Sequence, residues 1–115
     1  MDERTKQAGL NAFVRIVEAW GLKEAHGALL LGVDEMPRVD EVTHDQLERI
    51  SHTLSIYRSL HTLLADPHAD AWIRKPNHAP LFGGMCALDL LKTGTQGFLE
   101  VRIYLAAQVG GDPSW

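Results

Sequence analysis

Six histidines, at positions 26, 44, 52, 61, 68 and 78, and a single cysteine, Cys86, are the side chains with which this chain could hold a metal or attack a substrate. No two of the histidines stand four apart, the spacing that turns two imidazoles toward one ion from a helical face, and no HExxH occurs. Cys86 lies in the apolar run Met85-Cys86-Ala87-Leu88, where a thiol is expected to be a buried, unreactive hydrophobe rather than a nucleophile. The phosphate-cradling patterns GxxxxGK[ST] and GxGxxG and the nucleophile-elbow pattern GxSxG are absent. Gly83-Gly84 ahead of a helix has the form of an anion cradle, but the bare pair is too common to carry a site. These residues point to no catalysis, no metal and no cofactor. What is chemically unusual is the crossing Pro76-Asn77-His78-Ala79-Pro80-Leu81-Phe82-Gly83-Gly84. Its prolines hold φ and push the preceding residues toward extended backbone, and its glycines permit a turn that a Cβ would block. Leu81 and Phe82 place large apolar groups where loops are usually polar, so this loop is expected to be defined in shape and to need a surface to pack against.

The elements that must position the loop read as helices. After nine polar residues expected to fray, Leu10, Phe13, Val14, Val17 and Trp20 recur at helical spacing, and Gly21 is placed as a left-handed cap. Lys23 to Leu31, carrying Ala25, Ala28, Leu29 and Leu30, makes a second helix stopped by Gly32. Two short helices joined at a Gly-Leu corner have the form of the first half of a helix-turn-helix. A recognition helix should follow, yet the segment before Thr43 is VDEMPRVDEV, with Asp34, Glu35, Asp40 and Glu41, a central Pro37, and Arg38 as its one base. Reading bases needs several donors and basic neighbours for phosphates. Asp34 to Val42 is therefore expected to form no exposed recognition helix, and Arg38 is the sole, weak candidate for a DNA contact.

Thr43-His44-Asp45-Gln46 fits a capping box and opens the longest helix, to about Leu64. Leu47, Ile50, Leu54, Tyr57, Leu60 and Leu64 form a stripe along it, with Arg49 off the stripe; it faces either the core or a homodimer seam. Asp66-Pro67 ends this helix, and a short amphipathic turn at Trp72 leads into the loop. Met85 to Leu91 is a short helix ended near Gly94, and Thr95 or Gln96 starts another whose Phe98, Val101, Leu105 and Val109 share a face. Arg102 sits among these apolar positions as a solvated stem, a partner contact or half of an ion pair, Asp89 being one candidate partner. Gly110-Gly111 reads as a hinge to a tail whose Trp115 either anchors in a partner's pocket or docks on its own core.

At 115 residues the chain is one domain or two packed halves around a single core that removes roughly two-thirds of the unfolded surface from water. Fifteen acids against eleven Lys and Arg give a net charge of -4, and residues 1–65 alone hold seven bases and ten acids, 7 - 10 = -3. Such a balance argues for solubility and against a chain built for non-specific nucleic-acid binding. A lone cysteine excludes an internal disulfide and suits the reducing cytoplasm. No apolar run approaches the roughly 18 to 20 residues of a membrane span, and Met1-Asp2-Glu3-Arg4 lacks the order of a signal peptide. The expectation is a soluble cytoplasmic protein with no membrane partner.

Pro80-Leu81-Phe82-Gly83-Gly84, then Ala87-Leu88-Asp89-Leu90-Leu91, Gly94, Glu100-Val101-Arg102, Tyr104-Leu105 and Gly110-Gly111, resembles the toxin-binding domain of the Xre/MbcA/ParS antitoxin family. Trp72-Ile73-Arg74-Lys75-Pro76-Asn77 fits the same family, and the resemblance runs from about Ala12 to Gly111. It implies an all-α helical bundle: a helix-turn-helix-like half over residues 10–65, its recognition segment shortened, joined by the long central helix to a toxin-binding half over residues 66–115. It also implies an antitoxin that sterically covers a cognate RES-domain toxin, an enzyme that degrades NAD or transfers ADP-ribose from it, as a homodimer or as a hetero-oligomer with the toxin. The residues carried over as toxin-binding are Trp72, Arg74, Pro76, Asn77, Pro80, Phe82, Gly83, Gly84 and Leu88. Arg102, Tyr104, Leu105, Gly110, Gly111 and Trp115 complete the set. The alternatives are a DNA-binding repressor with a working helix-turn-helix and a dimerisation module without a toxin.

Overall fold

Thr43 caps the longest helix as its sequence dictates: its hydroxyl accepts from the Gln46 N–H at 3.1 Å while the Gln46 side chain accepts from the Thr43 N–H at 3.0 Å. The computed structural model describes residues 2–111. It contains α1 (Glu3–Ala19), α2 (Glu24–Leu30), a short 3-10 helix (Val39–Glu41), α3 (His44–Leu63), α4 (Asp66–Trp72), α5 (Ala87–Leu91) and α6 (Thr95–Gly110). The fold is all-α. Among the described residues there is no strand, and extended pairing is confined to an isolated antiparallel bridge between Pro76 and Cys86.

The start of the chain corrects one expectation. The first residues are helical from Glu3, because the Asp2 carboxylate accepts from the Thr5 N–H at 2.8 Å and Glu3 favours the positive helix end. Polarity there marks exposure, not fraying. Both α1 and α2 end as the glycines suggest. Gly21 and Gly32 have φ of 75° and 81°, and the six-to-one bonds Leu22 N–H to Val17 O and Val33 N–H to Ala28 O, each 3.0 Å, close the last turns. Residues 34–38 form no helix, and the 3-10 turn Val39–Glu41 is the one helical element between α2 and α3.

α3 lies between α1 and α6, and that double contact rotates its buried sector away from the expected stripe. Gln46, Ile50, Thr53, Ile56 and Leu60 are buried, whereas Leu47, Leu54, Tyr57 and Leu64 are half-exposed. Thr53 is tolerated inside because its hydroxyl donates to the Arg49 carbonyl at 2.8 Å. Similar rotations put Ile16 in the core instead of Val14, and leave Ala25 and Leu29 of α2 in solvent. In α6, Phe98, Val101 and Leu105 are buried as expected, while Val109 is 45% exposed. α3 and α6 run parallel: the Thr95 hydroxyl meets Asp45 and the Arg102 guanidinium meets His52, the same offset of 50 seven residues further along both helices. Arg49, expected off the core, joins three elements. Its guanidinium donates to the Leu30 carbonyl at 2.9 Å and to the Thr95 hydroxyl at 2.8 Å, and pairs with Asp45 at 3.1 Å.

Candidate partner-binding surface

Asn77 organises the loop between α4 and α5. Its N–H donates to the Met85 carbonyl at 3.0 Å, its carbonyl accepts from the Gly84 N–H at 2.8 Å, and its side-chain oxygen accepts from the Ala79 N–H at 2.8 Å. Gly83 and Gly84 then turn the chain with φ of 56° and 93°, a region where a side chain would be strained. Leu88 N–H donates to the Ile73 carbonyl at 3.0 Å, fastening the start of α5 to the end of α4.

The apolar loop residues find the surface they need. Phe82 packs edge-on against Trp72, with ring centroids 5.7 Å apart, and against Tyr104 at 5.1 Å; Trp72 and Tyr104 stack at 6.4 Å. This triad joins α4, the loop and α6. Trp72, Phe82, Leu88 and Leu105 are consequently buried, so they shape the surface from beneath. Arg74, Pro76, Pro80 and Gly83 are exposed, and Asn77, Gly84, Arg102 and Tyr104 are half-buried. Gly110 is the last residue of α6 and Gly111 its extended cap, so the glycine pair is not a free hinge at both positions. Trp115 lies outside the described residues. Met85, 52% exposed, and Ile103, 58% exposed, were not singled out from the sequence, which shows apolar residues without showing which way they face.

The charged candidates have other partners than expected. Arg102 does not meet Asp89: its guanidinium donates to Nδ1 of His52 at 3.0 Å. Burial, and then the Arg102 charge, lower the His52 pKa from its ordinary value, and because a guanidinium can only donate, Nδ1 is the acceptor in this bond. Asp89 instead accepts from the Cys86 N–H at 3.3 Å and from its thiol at 3.1 Å, closing the N-terminus of α5. Cys86, expected to be buried, is half-buried because it occupies that capping position. Arg38 lies 3.4 Å from Asp40 and 3.7 Å from Glu41. His61 was passed over in the sequence, yet Nδ1 lies 3.0 Å from Asp66 and Nε2 2.8 Å from Asp70, clasping α3 to α4. Among the described residues no three His, Cys, Asp or Glu side chains are grouped to hold a metal ion, and no helix is long and apolar enough to cross a membrane.

The loop is fixed from within by backbone bonds and aromatic packing, with basic, proline and apolar groups outward. Residues 59–111 match the family described as antitoxin Xre/MbcA/ParS C-terminal toxin-binding domain. A relative from Sinorhizobium fredii, uncharacterized protein y4oB, is 36% identical over 119 residues, spanning 96% of this chain and 91% of that one. No solved structure matches.

Proposed function

This chain belongs to the Xre/MbcA/ParS antitoxin family, and we propose from that premise that it neutralises a cognate toxin with its C-terminal half, residues 66–115. Residues 10–65 are a helix-turn-helix remnant on this reading. The partner, by the resemblance described above, is a RES-domain toxin that degrades NAD or transfers ADP-ribose from it. Inhibition is steric, in the cytoplasm, and this chain supplies neither a catalytic group nor a cofactor. The supporting observation is the loop itself, held by the Asn77 bonds and by the Trp72, Phe82 and Tyr104 rings, with Arg74, Lys75, Pro80 and Met85 facing solvent. A surface ordered before binding has little entropy left to lose on docking. Arg74, Pro76, Pro80 and Met85 make contact, while Trp72, Phe82, Leu88 and Leu105 hold the shape.

Co-expression with a RES-domain protein encoded beside this chain should give a complex that co-purifies, as a hetero-oligomer whose mass light scattering measures. Arg74→Glu and Met85→Asp should each weaken it at least tenfold without lowering the melting temperature, since both side chains are exposed. Deleting residues 112–115 should leave the melting temperature nearly unchanged and weaken inhibition, with Trp115 as the anchor. Failure of the wild-type chain to bind or silence such a toxin would end this reading. Operator binding is weak in the same proposal, because residues 34–38 form no helix and Arg38 is occupied by its own neighbours. Submicromolar, sequence-selective anisotropy on its own promoter at physiological salt would contradict that part.

A further inference from the structure

Between α2 and α5 lies a half-open apolar cavity of about 130 Å³ lined by Leu22, His26, Leu29, Leu30, Leu88 and Lys92. Leu30 and Leu88 are buried in its floor, whereas Leu29 is 60% exposed at its mouth. A single exposed leucine is ordinary. One that extends the wall of an apolar cavity is different, since a visitor would cover both. An apolar cavity of about 150 Å³ holds benzene, and this one, slightly smaller but open on one side, is of the size to take the end of one large side chain.

The one charged side chain that lines it is a cation, Lys92, and no Asp or Glu lines it. Arg74 does not line the cavity but stands beside two residues that do, Leu22 and Leu88. Its guanidinium lies so close over Gly21, the residue before Leu22, that a Cβ there would stand 2.9 Å from Nη2. The residue preceding Arg74, Ile73, accepts the backbone N–H of Leu88. Neither Arg74 nor Lys92 has an ion-pair partner among the described residues. On a chain of net charge -4, an apolar hole with Lys92 at its wall and Arg74 close by runs against the background.

We propose that the cavity between α2 and α5 is a docking site for one large apolar side chain flanked by carboxylates, presented by a partner protein. The apolar group fills the hole and covers Leu29, and the carboxylates meet Lys92 and Arg74. The site draws on both halves of the chain; it shares Arg74 and Leu88 with the surface proposed for the toxin but includes no residue of the Pro76–Gly84 turn. It goes beyond the antitoxin reading and does not presuppose which protein supplies the segment.

The test uses the full chain, labelled with nitrogen-15, and two blocked tripeptides, Asp-Phe-Asp and Lys-Phe-Lys. The acidic peptide should produce saturable shifts in the millimolar range, confined to amides around 22–30, 73–75 and 88–92, and the basic one should bind at least tenfold more weakly. Leu29→Glu and Lys92→Glu alter exposed side chains, so each should keep the melting temperature while weakening the acidic peptide at least tenfold. Absence of saturable shifts, equal binding of the two peptides, or binding indifferent to both substitutions would overturn the proposal. A wild-type chain that bound no toxin would remove the reading of the preceding subsection and leave this result standing.

Discussion

Phe82 is a loop residue by position and a core residue by burial, 2% exposed between Trp72 and Tyr104. Phe82→Ala should cost about 3 to 5 kcal/mol in urea unfolding, and any loss of partner binding would follow from that collapse. His61 carries the pH dependence at this scale. With Asp66 on one ring nitrogen and Asp70 on the other, both nitrogens are satisfied only when both are protonated. Burial alone would lower its pKa, but the hydrogen bonds it donates to these two carboxylates outweigh that and raise the pKa above the ordinary 6.5. A raised folded pKa means that the stabilisation is full below the unfolded value and is lost as pH climbs through the folded one. His52, lowered by burial and by Arg102, has the opposite sign and opposes folding as pH falls below its unfolded value. His61→Gln should therefore destabilise more at about pH 5 than at about pH 9 in paired urea titrations. The difference should be about 1 kcal/mol or less, because Asp66 is largely exposed. An equal loss at both pH values would show that the clasp acts without the imidazole charge.

At the scale of elements, α5 is too short, at five residues, to hold itself together and depends on what it packs against. Its neighbour is α6, and the contact is made at Gly97, where a Cβ would fall 1.9 Å from the Leu90 carbonyl oxygen. That atom is backbone and cannot swing aside. Gly97→Ala should thus cost about 3 kcal/mol or more, although alanine is the better helix former, and thermal unfolding would register it. A variant as stable as the parent would mean that the two helices can separate without consequence. Arg49 supplies the complementary tie, linking the end of α2 and the start of α6 to α3 through groups that a lysine's single ammonium could not reach together.

For the whole molecule, one core runs through both halves: Phe13, Trp20, Ile56 and Leu60 belong to the same buried cluster as Ile73, Phe98 and Leu105. α3 spans about 30 Å at the helical rise and is covered by α1 as well as α6, so removing the first half would uncover much of its length. We expect a single cooperative transition by circular dichroism and by tryptophan fluorescence, with coincident midpoints. A fragment of residues 66–115 alone should be largely unfolded. Two separated transitions, or a folded fragment, would show that the halves are independent domains.

The sequence by itself determined the helical class, the opening of α3 at Thr43, the stops at Gly21 and Gly32, the non-helical stretch 34–38 and the presence of a defined apolar loop. Each of these is set by neighbours within a few residues, through capping hydrogen bonds, proline and glycine backbone limits, and the spacing of apolar groups. The family of the chain was legible for the same reason, in punctuated motifs. Tertiary structure alone decided which side of each helix faces inward, because a helix held between two others buries a sector that neither partner defines singly. It buried Trp72 and Phe82 against Tyr104, sent Arg102 to His52 instead of Asp89, and brought His61 to two aspartates at spacings of five and nine that no helical period contains. The α2–α5 cavity belongs to the same class: its walls come from residues up to seventy positions apart, and only packing can bring Leu22 and Lys92 to one hole.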